Sequence, residues 1–108
     1  MSTALTAVTD ATFAAEVLNS EMPVLVEFTA SWCPPCRMIE PVLVAVAEEE
    51  AHRLRVVSLD VDSNPEITAA YAVLSMPTLM VFRGGEPVKS MVGARAKAKL
   101  LRELADVV

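Results

Sequence analysis

The sequence is short of the residues that build metal sites and disulfide scaffolds: it has two cysteines, Cys33 and Cys36, and one histidine, His52, in 108 residues. A secreted disulfide-stapled domain needs more cysteines at wider spacings. Zinc held by the cysteine pair needs about two further ligands; no other cysteine exists and His52 is alone, so no metal is expected. Long apolar runs are also missing. No stretch approaches the ~18 apolar residues that would span a membrane. The first six residues carry neither a basic region nor an apolar run of signal-peptide length, so a cytoplasmic protein is expected. Nor is there a basic excess. The formal net charge is −5, and an acidic chain repels phosphate backbones, which makes nucleic acid a poor partner.

What is present is enough for one core. A chain of this length is expected to form one domain, residues 1–108, without staples. The 54% hydrophobic fraction excludes disorder. The pattern alternates strands and helices. A weak first strand is read over 4–8. A helix follows over 11–19, capped by Asp10, with Phe13, Ala14, Val17 and Leu18 on one face. The clearest strand is 23–29, almost all apolar, as a strand covered on both faces should be. A helix from the cysteine loop to about residue 51 turns Ile39, Val42, Leu43, Val46 and Ala47 inward and should kink at Pro41.

A third strand covers 54–60. Asn64-Pro65 reads as a cap and first turn of a helix to about Ala72, with Ile67, Ala70 and Tyr71 inward. Strands 78–82 and 87–92 flank the two-residue hairpin Gly84-Gly85. The last helix, about 95–107, buries Leu100, Leu101, Leu104 and Val108. The order βαβαβαββα predicts an α/β fold with a largely parallel sheet, closed by an antiparallel hairpin. The methionines Met38, Met76, Met80 and Met91 read as packing and contact residues, and His52 as a surface residue at a helix end.

Cys33 and Cys36 follow a buried strand and open a helix. A pair this close closes too small a loop to stabilise the fold much by chain entropy, so its purpose is chemical. At a helix start, backbone N–H groups and the dipole favour a thiolate at Cys33. Cys36, one turn on, is placed to resolve a mixed disulfide formed there.

The run Trp32-Cys33-Pro34-Pro35-Cys36-Arg37 after Val24-Leu25-Val26-Glu27-Phe28, with Met76-Pro77-Thr78 later, resembles the thioredoxin family. Pro41, Asp62, Asn64-Pro65, Gly85, Val92-Gly93 and Phe13 also fall at thioredoxin-like positions, so the resemblance covers nearly the whole chain. It implies the thioredoxin fold, a central five-stranded mixed sheet flanked by four helices. It implies a monomer without cofactor that reduces protein disulfides through Cys33 and Cys36 and is recycled by an NADPH-dependent thioredoxin reductase. It also implies a cis Pro77 beside the cysteines. A substrate platform would be formed by Trp32, Pro34, Pro35, Met76, Pro77, Gly93 and Ala94, with Met76 offering backbone groups to an extended strand. Trp32 is expected to be exposed there and not in the core.

Glu27 stands where the family usually has a buried aspartate that takes the proton of the inner cysteine. A solvated carboxylate is the alternative. Three departures stand out: Pro34 for the usual glycine, Ser58 for the usual lysine near the buried acid, and Thr29 for the aromatic often found after Phe28. Pro34 stiffens the loop and removes a donor. The Cys-Pro-Pro-Cys loop also resembles the normally larger tryparedoxins and nucleoredoxins. A disulfide oxidase or isomerase, a tryparedoxin-like donor and a binding module that uses the apolar surface without the thiols are therefore the alternatives to a reductant.

Overall fold

A computed structural model describes residues 5–108. Five strands form one sheet in the order β1-β3-β2-β4-β5: β1 (Thr6–Ala7), β2 (Val24–Thr29), β3 (Arg55–Asp60), β4 (Thr78–Arg83) and β5 (Glu86–Val92). Three α-helices, α1 (Pro34–Glu49), α2 (Pro65–Ala70) and α3 (Lys97–Leu104), and a π-helical segment, Ala14–Leu18, complete the described fold.

The sheet is less parallel than the alternation predicts. β1 and β2 run parallel to β3, but β4 is antiparallel to both β2 and β5. The length of α2 explains this. A parallel return requires a crossover helix that carries the chain back along a whole strand. Six helical residues rise only about 9 Å, whereas a six-residue strand such as β3 covers roughly 20 Å. The chain therefore re-enters the sheet at the end where it left, and Thr78 begins β4 opposite Phe28, near the end of β2.

Side-chain alternation along β2 divides the core. Val24, Val26 and Phe28 pack on one face with Phe13, Val57, Leu59, Met80 and Phe82. There the Phe13, Tyr71 and Phe82 rings meet with centroids 5.0–5.7 Å apart, a separation typical of edge and tilted aromatic pairs. Leu25 packs on the other face with Ile39, Leu43 and Val46 of α1 and Leu100 and Leu104 of α3. Val42, Ala47, Leu101 and Val108 are half-buried against that second cluster. Pro41 lies inside α1 on its exposed side.

Several local expectations need correction. The first strand is only Thr6–Ala7; its expected start at residue 4 lies outside the described residues. The helix expected over 11–19 is a turn leading into the π segment, and Ala14 is exposed. Thr9, not Asp10, closes its start: its carbonyl accepts the Phe13 N–H at 2.8 Å, and its hydroxyl accepts the Thr12 N–H at 3.2 Å.

Asp10 caps a different helix. Its carboxylate accepts the N–H groups of Glu66 (3.2 Å) and Ile67 (2.9 Å), in the first turn of α2. Asn64 cannot cap α2 because its amide is engaged elsewhere, accepting the Asp10 N–H at 2.8 Å and donating to the Asp60 carbonyl at 2.9 Å. Ala70 is exposed, while Ile67 and Tyr71 pack inward.

Helix α2 ends at Ala70, short of Ala72, because Ala72 takes a left-handed φ of 55°. There Ala72 N–H donates to Ala69 (3.1 Å) and Val73 N–H to Thr68 (3.0 Å), the paired bonds of a Schellman stop. The hairpin is as expected: Gly84 and Gly85 have φ of 62° and 82°, which a primed two-residue turn requires. A bulge between Val81 and Phe82 places Pro87 opposite Phe82 on edge strand β5, where a missing N–H is tolerated. Met80 and Met91 are buried, as filler residues should be, but Met38 is 72% exposed. His52 is exposed just beyond α1.

Candidate active site

Three segments converge at one end of the sheet because of the register. β2 ends at Thr29 and leads into the cysteine loop. Thr78 is paired with Phe28 on one side and with Val92 on the other. The loops bearing Cys33, Pro77 and Gly93 thus lie side by side, and Gly93 N–H donates to the Pro77 carbonyl at 2.9 Å. The Met76–Pro77 bond is cis.

Cys33 is the N-cap of α1 and is joined to Cys36 by a disulfide with Cα atoms 5.3 Å apart. The Cys36 N–H donates to Cys33 Sγ at 3.3 Å. Pro34 and Pro35 occupy the first helical positions, where proline's lack of an N–H costs nothing. They also leave Cys36 as the first residue of α1 with an N–H to offer the sulfur. Both cysteines are nearly covered, packed with Phe28, Ala30, Val61 and Val73.

Around them the surface is apolar and open. Trp32 is 61% exposed, and its indole N–H donates to Asp62 Oδ2 at 2.8 Å, so the ring is held by its polar end while its faces stay free. Pro34, Pro35 and Ala94 are exposed, Met76 and Gly93 are half-buried, and Pro77 is buried. The Arg37 guanidinium donates to the Ser31 carbonyl and ties the loop to the first turn of α1.

Glu27 is completely buried, and among the described residues neither carboxylate oxygen has a hydrogen-bond partner. Alternation puts it on the Leu25 face of β2. That face meets Ile39, Leu43 and Val46 of α1, the helix whose first turn holds Cys36. Burial, and secondarily the charge of Glu40, push its pKa from 4.5 up to about 7. Ser58 is its register partner on β3, so the departure from lysine leaves the acid without a cation at that register position. Thr29, Ala30, Ser31, Arg37, Glu40 and Asp60 line an adjoining cleft of about 330 Å³. Among the described residues no group of three or more His, Cys, Asp or Glu side chains is arranged to hold a metal.

Sequence reasoning did not single out Glu40, the Asp62 contact to Trp32, or Arg95, whose guanidinium reaches the Gly93 loop. Glu40 carried one legible signal, its i+4 spacing from Cys36, which puts the two on the same side of α1.

A disulfide at a helix N-terminus, flanked by a cis-proline loop and an open apolar surface, defines a dithiol–disulfide exchange protein. The family model for thioredoxin matches residues 4–106. The chain is 57% identical over 101 residues to a thioredoxin of Mycobacterium tuberculosis (strain ATCC 25618 / H37Rv), across 94% of this chain and 87% of that one. It is 50% identical over 93 residues to a thioredoxin of Porphyra purpurea, across 86% and 87% of the two chains. It is also 55% identical over 101 residues to a bifunctional thioredoxin reductase/thioredoxin of Mycobacterium leprae (strain TN), where 94% of this chain spans 22% of that protein's length. The chain belongs to the thioredoxin family and is a thiol–disulfide oxidoreductase, a protein-disulfide reductase of the thioredoxin type.

Proposed function

We propose that Cys33 is the attacking thiolate and Cys36 the resolving thiol in the reduction of protein disulfides. The observation that carries this assignment is the capping position of Cys33: its sulfur accepts the Cys36 N–H at 3.3 Å at the positive end of α1, a setting that favours the charged form. In the forward reaction the Cys33 thiolate attacks a substrate sulfur, forming a mixed disulfide and releasing one substrate thiolate. Cys36, deprotonated, then attacks Cys33 Sγ. This releases the second substrate thiolate and forms the Cys33–Cys36 disulfide; two electrons pass from the dithiol to the substrate. Glu27 takes the Cys36 proton, for which a buried carboxylate with a pKa of about 7 is suited. Trp32, Pro34, Pro35, Met76, Pro77, Gly93 and Ala94 form the platform for the substrate chain.

The recycling partner is an NADPH-dependent thioredoxin reductase. The fusion of the two activities in the name of the Mycobacterium leprae relative supports this pairing. On the family resemblance, the protein acts as a cytoplasmic monomer. Separately, no helix among the described residues is long and apolar enough to cross a membrane. The test is to mix the protein with such a reductase, NADPH and insulin, and to follow NADPH consumption. Turnover that depends on both cysteines is expected. Oxidation of reduced substrates without reductase turnover would favour the oxidase alternative instead.

A further inference from the structure

The loop that carries Gly93 is gripped from behind by one side chain. Arg95 donates through Nε to the Gly93 carbonyl at 3.2 Å and through Nη2 to the Val92 carbonyl at 2.6 Å. Its Nη1 donates to both carboxylate oxygens of Glu103 at 2.8 Å each. The Arg95 side chain is 9% exposed and that of Glu103 26%, so this is a partly desolvated ion pair, and its bidentate geometry carries weight. Glu103 is fixed by its place in α3, whose Leu100 and Leu104 are sealed in the core. The clamp therefore runs from the core, through Glu103 and Arg95, to Val92 and Gly93. From there it passes to Pro77 through the Gly93 N–H bond of 2.9 Å. Gly93 itself has a φ of 100°, a conformation with little intrinsic support for any one geometry. The fixed fork of the guanidinium supplies that support.

We propose that Arg95 is a positioning residue of the exchange reaction, which holds the Val92–Gly93 loop in the shape that receives a protein disulfide. It sets how tightly protein substrates dock and leaves the intrinsic reactivity of the cysteines alone. The proposal rests on the reading of Gly93 and Ala94 as part of the substrate platform.

The test is single-turnover oxidation of the pre-reduced protein, quenched by alkylation and read by the mass of this chain, which reports the thiols remaining on the protein itself. Insulin serves as the protein disulfide over a range of concentrations, and 5,5′-dithiobis(2-nitrobenzoate) as the small one. For Arg95→Ala the half-saturating insulin concentration should rise on the order of tenfold, the scale of lost charge-assisted hydrogen bonds. The limiting rate and the small-disulfide rate should stay within about twofold. Arg95→Lys keeps a cation for Glu103 but lacks the fork that also spans two carbonyls; it should show the same split and decides the matter if Arg95→Ala fails to fold. An unchanged half-saturation in Arg95→Lys, or an equal loss on both disulfides, overturns the proposal. Trp32→Ala separates the two levels. If it raises the insulin half-saturation while Arg95→Lys does not, only the role of Arg95 fails. If neither variant moves it, the platform reading fails as well.

Discussion

Asp10 and Asn64 are locked together across the sheet's edge: the Asp10 N–H donates to Asn64 Oδ1 at 2.8 Å, and the Asp10 carboxylate covers the first turn of the helix that Asn64 precedes. A cap supplied from a distant segment does two jobs. It satisfies the orphan donors of α2, and it fastens the segment after β1 to the connection between β3 and β4. Asp10→Ala should cost about 1–2 kcal/mol, the upper range for loss of a cap. Asn64→Ala should cost a similar amount, because its amide is buried and bonded at both ends. The double variant should lose less than the sum, since both remove one network. Strict additivity in denaturant melts would show that the two residues act independently.

The other end of α2 is less well served. Ala72 holds a left-handed φ of 55°, which costs an L-residue roughly 1–2 kcal/mol. Glycine adopts it freely but raises the entropy of the unfolded chain. The net expectation for Ala72→Gly is a gain of about 0.5–1 kcal/mol. A destabilised variant in the same melts would mean that the Cβ of Ala72 packs usefully.

These two residues also mark where the sequence ceases to be legible. Among the described residues, apolar pattern together with cap and turn signals located the strands and the three α-helices, because the apolar pattern of β2 or α1 is local. The Gly84-Gly85 hairpin was readable because its φ requirement is local too. The cap of α2 was not, since Asn64-Pro65 is locally the better cap and only the tertiary approach of Asp10 displaces it. The antiparallel setting of β4 was equally hidden, because it follows from the length of α2 and not from the character of β4. In the site, Cys33 and Cys36 were legible from spacing, and Glu27 from its company of buried apolar neighbours. Arg95 was not, because a lone arginine near a helix start reads as surface charge until its carbonyl partners are seen.

The assignment of the two thiols has a direct chemical test. In Cys36→Ser, Cys33 can still attack but nothing resolves the product, so mixed disulfides with substrate should accumulate. In Cys33→Ser none should form. Brief alkylation of the reduced native protein should label Cys33 first, since the thiolate is the reactive form. Faster labelling of Cys36, or trapping by Cys33→Ser, would reverse the roles.

Glu40 supplies a like charge near Glu27 and lines the cleft with Thr29, Arg37 and Asp60. Like charges disfavour ionisation, so Glu40→Gln should lower the Glu27 pKa. Because burial is the larger cause, the midpoint should remain above 4.5. Carbon-detected titration of the Glu27 carboxyl would report both parts. An unmoved midpoint would leave burial as the sole cause.

If Glu27 is the base for Cys36, as proposed, one buried carboxylate affects both stability and turnover. Its folded pKa of about 7 lies above the ordinary 4.5, so the native state holds the proton over a window in which the unfolded chain has released it. Unfolding in that window releases a proton, and stability must fall as pH rises from 4.5 to about 7. Above that window the loss is complete, about 3 kcal/mol from a shift of this size. Glu27→Gln removes the titration while keeping the shape. The variant should match the native protein near pH 4.5 and exceed it in stability by up to that amount near pH 8. It should also resolve mixed disulfides more slowly, because Cys36 has lost its base. Ser58→Lys is the converse change: a cation in register with Glu27 should lower its pKa and shrink the pH dependence of stability. Denaturant melts at several pH values, set beside single-turnover reduction of insulin, measure the two effects separately. If Glu27→Gln is no more stable at pH 8 and resolves at the native rate, Glu27 is neither a charged burden on the fold nor the base for Cys36.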